Sequence, residues 1–295
     1  MIKYIKRKDL DSVKYNNCIE NSIQSRIYAF SWYLDIVADN WDVLVLNDYE
    51  VVMPIPWNKK SFLKYTLQPF FCQQLGFYSK REIKKEVLYL FFKKIPLNIL
   101  YLNLSVNKSI ETRVLKFETK TNYVLNLNDK YDNLANNYRK DRRKSLKKAF
   151  KAELSFKSSK DKNTLINLYK KVFLHLSHSD KYFDTIDKII DFCLKQKKGF
   201  IREIYHNEEL VCSGFFILFN NRIYYIFSAS SNEGKRYGAT TFLINSVIKE
   251  FAESNYIFDF EGSNIKNVAS FYKSFGSKTS SYFNFTSNAF KRISF

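Results

Sequence analysis

Residues 228–251, SASSNEGKRYGATTFLINSVIKEF, run from the end of an apolar strand pattern through a polar segment into a helical pattern that starts near Gly238. Backbone N–H groups at a helix start have no intrahelical partner and point at an arriving anion. Gly234 and Gly238 allow close backbone approach, and Lys235 and Arg236 add positive charge. Ser230 and Asn232 precede them, Ala239 and Thr240 open the helix, and Thr240 and Thr241 carry hydroxyls in its first turn. This set suits phosphate binding, although a plain glycine turn with solvated Lys235 and Arg236 uses the same residues. A second stretch, FDFEGSNIKNVASFYKSFG at 258–276, alternates Phe258, Asp259, Phe260 and Glu261. Alternation in a strand puts both carboxylates on one face, and open α/β sheets bind ligands at such carboxyl ends. Asn264, Asn267 and Tyr272 follow in a short helical segment. A capped helix with its tyrosine in the core is the plainer account of those three.

A third stretch, NYRKDRRKSLKKAFKAELSF at 137–156, sets eight basic side chains against two acidic ones. On a helix, Arg139, Arg142 and Arg143 fall on neighbouring positions, as do Lys144, Lys147, Lys148 and Lys151. Leu146, Ala149 and Phe150 are left to face a core. Arginines so spaced suit phosphate groups better than base edges; a solvated charged face is the alternative. The whole chain of 295 residues carries a formal +19. Residues 129–160 hold 11 basic and 4 acidic side chains, a local excess beyond what a lysine-rich composition gives by itself. No DNA-recognition module is present, so sequence-specific DNA binding is not expected.

Other chemistries find little support. His175 and His178 share a helix face near Asp180, but no further ligand cluster completes a metal site. Cys18, Cys72, Cys193 and Cys212 form no C-x-x-C pair, which points to a reducing, cytoplasmic setting. There is no G-x-S-x-G elbow, no signal-peptide pattern and no run of about 20 apolar residues. In LQPFFCQQLGFYS, Gln68, Gln73 and Gln74 either line an acceptor pocket or pack in a core.

The elements that must position these residues repeat in order. Each half reads as strand, two helices, a run of strands, helix, strand, which predicts α/β architecture with mixed, twisted sheets flanked by helices. The expected domains are 1–128 and 129–295. No Gly/Ser linker divides them.

Together the stretches at 228–251 and 258–276 resemble the GNAT-fold acyltransferases. That family carries R/Q-x-x-G-x-G/A at the start of its central helix, matched here by Lys235, Arg236, Tyr237, Gly238, Ala239 and Thr240. Its later pattern, Asn then A-x-x-x-Y-x-x-x-G-F, is echoed by Asn264, Asn267, Ala269, Tyr272 and Gly276, with the alanine one residue close and Ser277 in place of Phe. Two such domains led by YRKDRRKSLKKAF are similar to the Fem-type peptidoglycan bridge aminoacyltransferases. Their R-x-x-R-x-x-I-x-K-A helix is met by Arg139, Arg142, Leu146, Lys148 and Ala149, and their D-F-G-G by Asp259, Phe260, Glu261 and Gly262.

The resemblance implies two tandem GNAT-like domains, the first degenerate and on the acceptor side. It implies an acyltransferase moving an acyl or aminoacyl group from acyl-CoA or aminoacyl-tRNA to an amine of a small molecule or cell-wall precursor. Neither co-substrate is permanently bound, and tRNA is a possible partner. Glu261 or Asp259 would be the base and Tyr272 the acid, with oxyanion donors near Ser228–Ser230. Residues 230–240, with Asn264 and Asn267, would hold the donor, and Arg139, Arg142 and Arg143, with the three glutamines, the acceptor or a phosphate. The competing class is a non-catalytic anion- or RNA-binding scaffold on a degenerate fold.

Overall fold

The computed structural model describes residues 1–110, 116–173 and 180–289. His175 and His178 lie outside the described residues. By packing, the chain divides into two compact units, Met1–Lys120 with Ser281–Phe295, and Thr121–Ser280. The first unit thus takes back the end of the chain.

In the first unit, β1 (Ile2–Lys6) leads to α1 (Ser12–Glu20) and α2 (Ser31–Val37). Asp11 starts α1 by accepting the Val13 and Lys14 N–H groups, donors that would otherwise be orphaned. β2 (Asn40–Leu46) and β3 (Val51–Lys60) then form a hairpin, with Asn47 and Tyr49 at positive φ in its turn. β4 (Leu63–Tyr65), β5 (Tyr78–Ser79), α3 (Lys85–Lys94) and β6 (Ile99–Val106) follow. α3 buries Leu88, Phe91 and Phe92, spaced three and four apart as one helical face requires. Phe92 meets Phe285 at 4.6 Å and Phe77 at 5.4 Å, so this core forms only when the last strand has returned.

β7 (Lys116–Asn126) is one continuous strand. In the second unit, α4 (Tyr131–Asn136) and α5 (Lys140–Lys151) precede β8 (Ser155–Ser159), α6 (Lys162–Val172) and α7 (Asp180–Lys195). The run continues with β9 (Gly199–His206), β10 (Glu209–Phe219), β11 (Arg222–Ser230), α8 (Asn232–Tyr237), α9 (Ala239–Glu250), β12 (Ile257–Asp259) and α10 (Lys266–Lys273). β13 (Lys278–Asn288) closes the chain and pairs with β6 between Phe283–Val106 and Asn288–Tyr101. The second unit's strands run β7-β12-β11-β10-β9-β8. Its core strand–helix packing centres on α9, which buries eight side chains including Phe242, Leu243, Ile244 and Val247. A helix apolar on nearly all sides must sit inside the layers.

Candidate active site

β11 and β12 run parallel, but their pairing covers only Arg222–Ile257, Ile223–Phe258 and Tyr224–Asp259. Among the described residues β11 has no β12 partner from Tyr225 onward, because β12 ends at Asp259. β11 bulges here: Phe215 and Phe216 of β10 pair with Phe227 and Tyr225, which leaves Ile226 of β11 as the extra residue. Sequence alternation gave no sign of the bulge, because it inserts one residue into an otherwise regular apolar run.

The two carboxylates at the end of β12 do not share a face. β12 stops at Asp259, and Glu261 turns into the left-handed region with φ 63°. Asp259 is 1% exposed. Its Oδ1 accepts from Asn122 Nδ2 at 2.9 Å and from the Glu261 N–H at 2.9 Å, and its Oδ2 accepts from Arg222 Nη1 at 2.7 Å. A buried carboxylate so paired and saturated fixes the chain and has little capacity left for a substrate proton. Gly262, at φ 66°, completes the turn, and a Cβ there would lie 2.5 Å from the Thr121 carbonyl oxygen. Asn122 and Arg222 were not singled out from sequence, since their role arises from strand pairing far along the chain.

Tyr272, on α10, lies among aromatic rings: Phe260 at 5.1 Å, Tyr225 at 6.3 Å and Tyr123 at 6.4 Å. Burial first, and the negative charge of Glu261 second, push its phenol up to about 12. At neutral pH it is therefore an O–H donor, electrostatically coupled to the Glu261 carboxylate. Tyr225 hydrogen-bonds Ser228 Oγ, and burial pushes its phenol well above the ordinary value. Tyr225, like Asn122 and Arg222, was not singled out from sequence.

The expected donor loop is largely helical. Residues 232–237 form α8, capped by Ser231, whose Oγ accepts the Gly234 N–H at 3.0 Å. Gly234 and Gly238 are packing glycines: a Cβ would lie 2.3 Å from the Val211 carbonyl oxygen at the first and 2.5 Å from Ser145 Oγ at the second. Gly238, at φ 77°, ends α8 and begins α9. Both glycines are thus required by contacts with β10 and α5, which is a different reason from the one expected. Asn232, Lys235 and Arg236 are exposed beside this junction, Ala239 is buried, and Thr240 Oγ1 sits 3.9 Å from Cys212 Sγ. Ser230 is buried with Oγ donating to the Val211 carbonyl at 3.4 Å. Asn264 and Asn267 are exposed at the start of α10.

The three arginines go separate ways. Arg142 is 9% exposed. It donates from Nε to Ser274 Oγ at 2.8 Å and from Nη1 to Thr241 Oγ1, and it stacks on Phe271 at 4.3 Å. Burial lowers its pKa, opposed by Asp141. Arg139 is exposed, paired with Asp141 at 2.7 Å and reaching Ser270 at 3.2 Å; this pairing holds Asp141 at about 2. Arg143 donates to the Asn136 carbonyl at 3.3 Å. The solvated face of α5 is made by Lys140, Lys144, Lys147, Lys148 and Lys151.

The three glutamines belong to the first unit. Gln68 donates to the Cys72 carbonyl at 2.7 Å and accepts the Ser105 N–H at 3.0 Å, a backbone role. Gln74 donates to Gln73 Oε1 at 2.8 Å, and Gln73 Nε2 is buried with no partner among the described residues. A cleft of about 600 Å³ in this unit is lined by Lys14, Asp48, Lys80, Arg81 and neighbours, and by none of the glutamines. No group of three metal-ligating side chains occurs among the described residues. The four cysteines are free and buried; burial pushes Cys18 up to about 11 and Cys193 and Cys212 up to about 12, a poor start for nucleophilic catalysis.

Residues 136–274 match the acetyltransferase (GNAT) domain family. The fold is a mixed α/β one like that of tandem GNAT-like proteins. The FemX crystal structure is similar over 96% of this chain and 96% of its own, with a TM-score of 0.65 and 11% identity. The C-terminal domain of a putative lysylphosphatidylglycerol synthetase from Agrobacterium fabrum is similar over 96% and 94%, with a TM-score of 0.63 and 10% identity. A tandem GNAT protein from the clavulanic acid biosynthesis pathway is similar over 98% and 99%, with a TM-score of 0.52 and 9% identity. At these identities the likeness is one of fold. No curated protein matches by sequence.

Proposed function

We propose that the second unit catalyses direct transfer of an acyl or aminoacyl group to an amine, with Glu261 as general base and Tyr272 as general acid. The amine nitrogen attacks the carbonyl carbon of a thioester or ester while Glu261 takes the surplus ammonium proton, directly or through one water. Backbone N–H groups of β11 beyond Tyr224 stabilise the oxyanion where β12 no longer pairs with them. On collapse, the carbon–sulfur or carbon–oxygen bond breaks and Tyr272 protonates the leaving atom. The proton on Glu261 then returns to the neighbouring phenolate, which restores both groups.

The observation that carries this reading is Glu261 itself. The resembling motif has glycine where this chain has Glu261, at a φ that glycine adopts without strain. What sets this carboxylate apart is its place beside a buried phenol, whose titration its charge raises. Asp259 serves as the residue that positions Glu261, through the bond to its N–H.

The donor's phosphates are assigned to the α8–α9 junction, with Lys235, Arg236 and the first-turn N–H groups of α9, which suits acyl-CoA. The exposed lysine row on α5 favours a second reading, aminoacyl-tRNA. Thermal-shift titration with CoA, acetyl-CoA and bulk tRNA at two salt concentrations separates them. A ligand at about 100 times its Kd stabilises by roughly 2.7 kcal/mol. A salt-insensitive shift with CoA supports the first donor, and a steeply salt-dependent shift with tRNA supports the second. No shift with either, and no amine-dependent release of thiol or tRNA, would leave the non-catalytic scaffold.

A further inference from the structure

The first unit exposes apolar side chains at one end of its sheet. β3 and β4 form a hairpin in which Lys60 pairs with Leu63, leaving Ser61 and Phe62 as the turn. Phe62 is 81% exposed and Leu63 42%. β4 runs parallel to β6 with Lys64 beside Ile99, so the start of β4 lies level with the segment just before β6, where Leu97 is 51% exposed. Single exposed apolar residues are ordinary, but a group at one edge marks a contact surface.

The charge around this group has one sign. Lys59 and Lys60 are exposed on the hairpin, and Lys93 and Lys94 are exposed at the end of α3, just before Leu97. Lys64 is laid over the Trp57 ring at 3.9 Å. No Asp or Glu occurs from residue 51 to 81 or from 87 to 110, the segments that build this edge.

We propose that this end of the first unit docks on an anionic lipid surface. Phe62, Leu63 and Leu97 enter the boundary between headgroups and acyl chains, while the four exposed lysines meet lipid phosphates. Three alternatives fit the same residues less well. A second copy placed here would set lysines against lysines, which is repulsive. A protein partner's interface core is normally poor in lysine. Single-stranded nucleic acid rewards aromatic stacking, to which Leu63 and Leu97 contribute nothing. Among the described residues no helix is long and apolar enough to cross a membrane, so the contact is peripheral. This inference does not depend on the transfer reading, since it concerns surface residues of the other unit.

Each lysine near an anionic surface strengthens binding about fivefold, so four favour anionic over neutral lipid on the order of several hundredfold. The test uses the full chain with phosphatidylcholine vesicles, with and without roughly one-third phosphatidylglycerol. Because the four native cysteines are buried, a polarity-sensitive dye can be attached to a Phe62→Cys variant alone. Co-sedimentation with the anionic vesicles only, together with a blue shift of the dye, is the expected result. The combined Phe62→Ser and Leu63→Ser substitution should weaken vesicle binding about tenfold or more. It should leave the melting curve unchanged, because both side chains are exposed. Three results would overturn the proposal: no binding to anionic vesicles, binding through other lysines with no dye shift and no effect of the double substitution, or self-association that the double substitution abolishes.

Discussion

Replacing Glu261 with glycine should make the protein more stable and less active at once. A side chain at φ 63° costs roughly 1–2 kcal/mol relative to the right-handed or extended regions. Glycine removes that strain but loses about 0.5–1 kcal/mol through greater freedom of the unfolded chain. The Glu261 N–H to Asp259 bond is backbone and survives the change. The net expectation is a gain of about 0.5–1 kcal/mol, or roughly 1–4 °C in melting temperature for a unit of this size. Removing a general base should meanwhile lower turnover about 10²- to 10⁴-fold. Glu261→Gln separates the effects, since it keeps the strain and loses the base: activity falls and the melting temperature stays. The assay pairs thermal denaturation with amine-dependent release of the leaving group. Full activity in the glycine variant would refute the catalytic role, and a lower melting temperature would refute the argument that this turn is strained for function.

Tyr272→Phe should lower turnover by about 10²-fold with donor binding unchanged, a split visible in kcat against KM. Because the folded phenol lies at about 12, above the ordinary value of about 10, its stabilisation is complete below pH 10 and is lost as pH rises toward 12. Denaturation of the wild type and the Phe variant across that range should therefore converge at high pH. Arg222→Ala should destabilise by about 3–5 kcal/mol by leaving Asp259 buried and uncompensated, as measured by urea unfolding. Arg142→Lys should cost about 2 kcal/mol, since an ammonium cannot reproduce the fork that reaches both Ser274 and Thr241; an unchanged midpoint would mean those contacts carry no stability.

The order of strands and helices was readable because apolar periodicity is local: the β2–β3 hairpin, α7 and α9 follow directly from it. What periodicity does not encode is where a regular element stops. Glu261 continues the alternation of Phe258, Asp259 and Phe260, so it reads as strand, yet Gly262 can only pass over the Thr121 carbonyl if the chain turns left-handed first. Likewise the polar run 232–237 reads as a loop. Ser231 and Gly238 bracket it as N-cap and left-handed terminus, which makes it a short helix. Gly234 and Gly238 stand out in the sequence, but glycine marks close approach without saying what approaches; here Val211 and Ser145 do. The return of the chain end to the first unit was illegible, since the match of Phe285 to Phe92 is visible only in three dimensions.

Two carboxylates two residues apart take different roles because their surroundings differ. Asp259 ends a strand inside the sheet, where a free charge would be expensive, and Arg222, Asn122 and a backbone N–H neutralise and saturate it. Glu261 stands past the strand end, half-buried, and shapes the titration of a phenol instead. The first cannot serve as a base without breaking the contacts that hold the second in place. That dependence has a direction: weakening Asp259's partners should disturb Glu261 and activity together. Altering Glu261 should leave the Asp259–Arg222 pair intact. A double-mutant cycle between Arg222→Ala and Glu261→Gln should therefore show non-additive losses of turnover, while the stability loss of the pair equals that of Arg222→Ala alone.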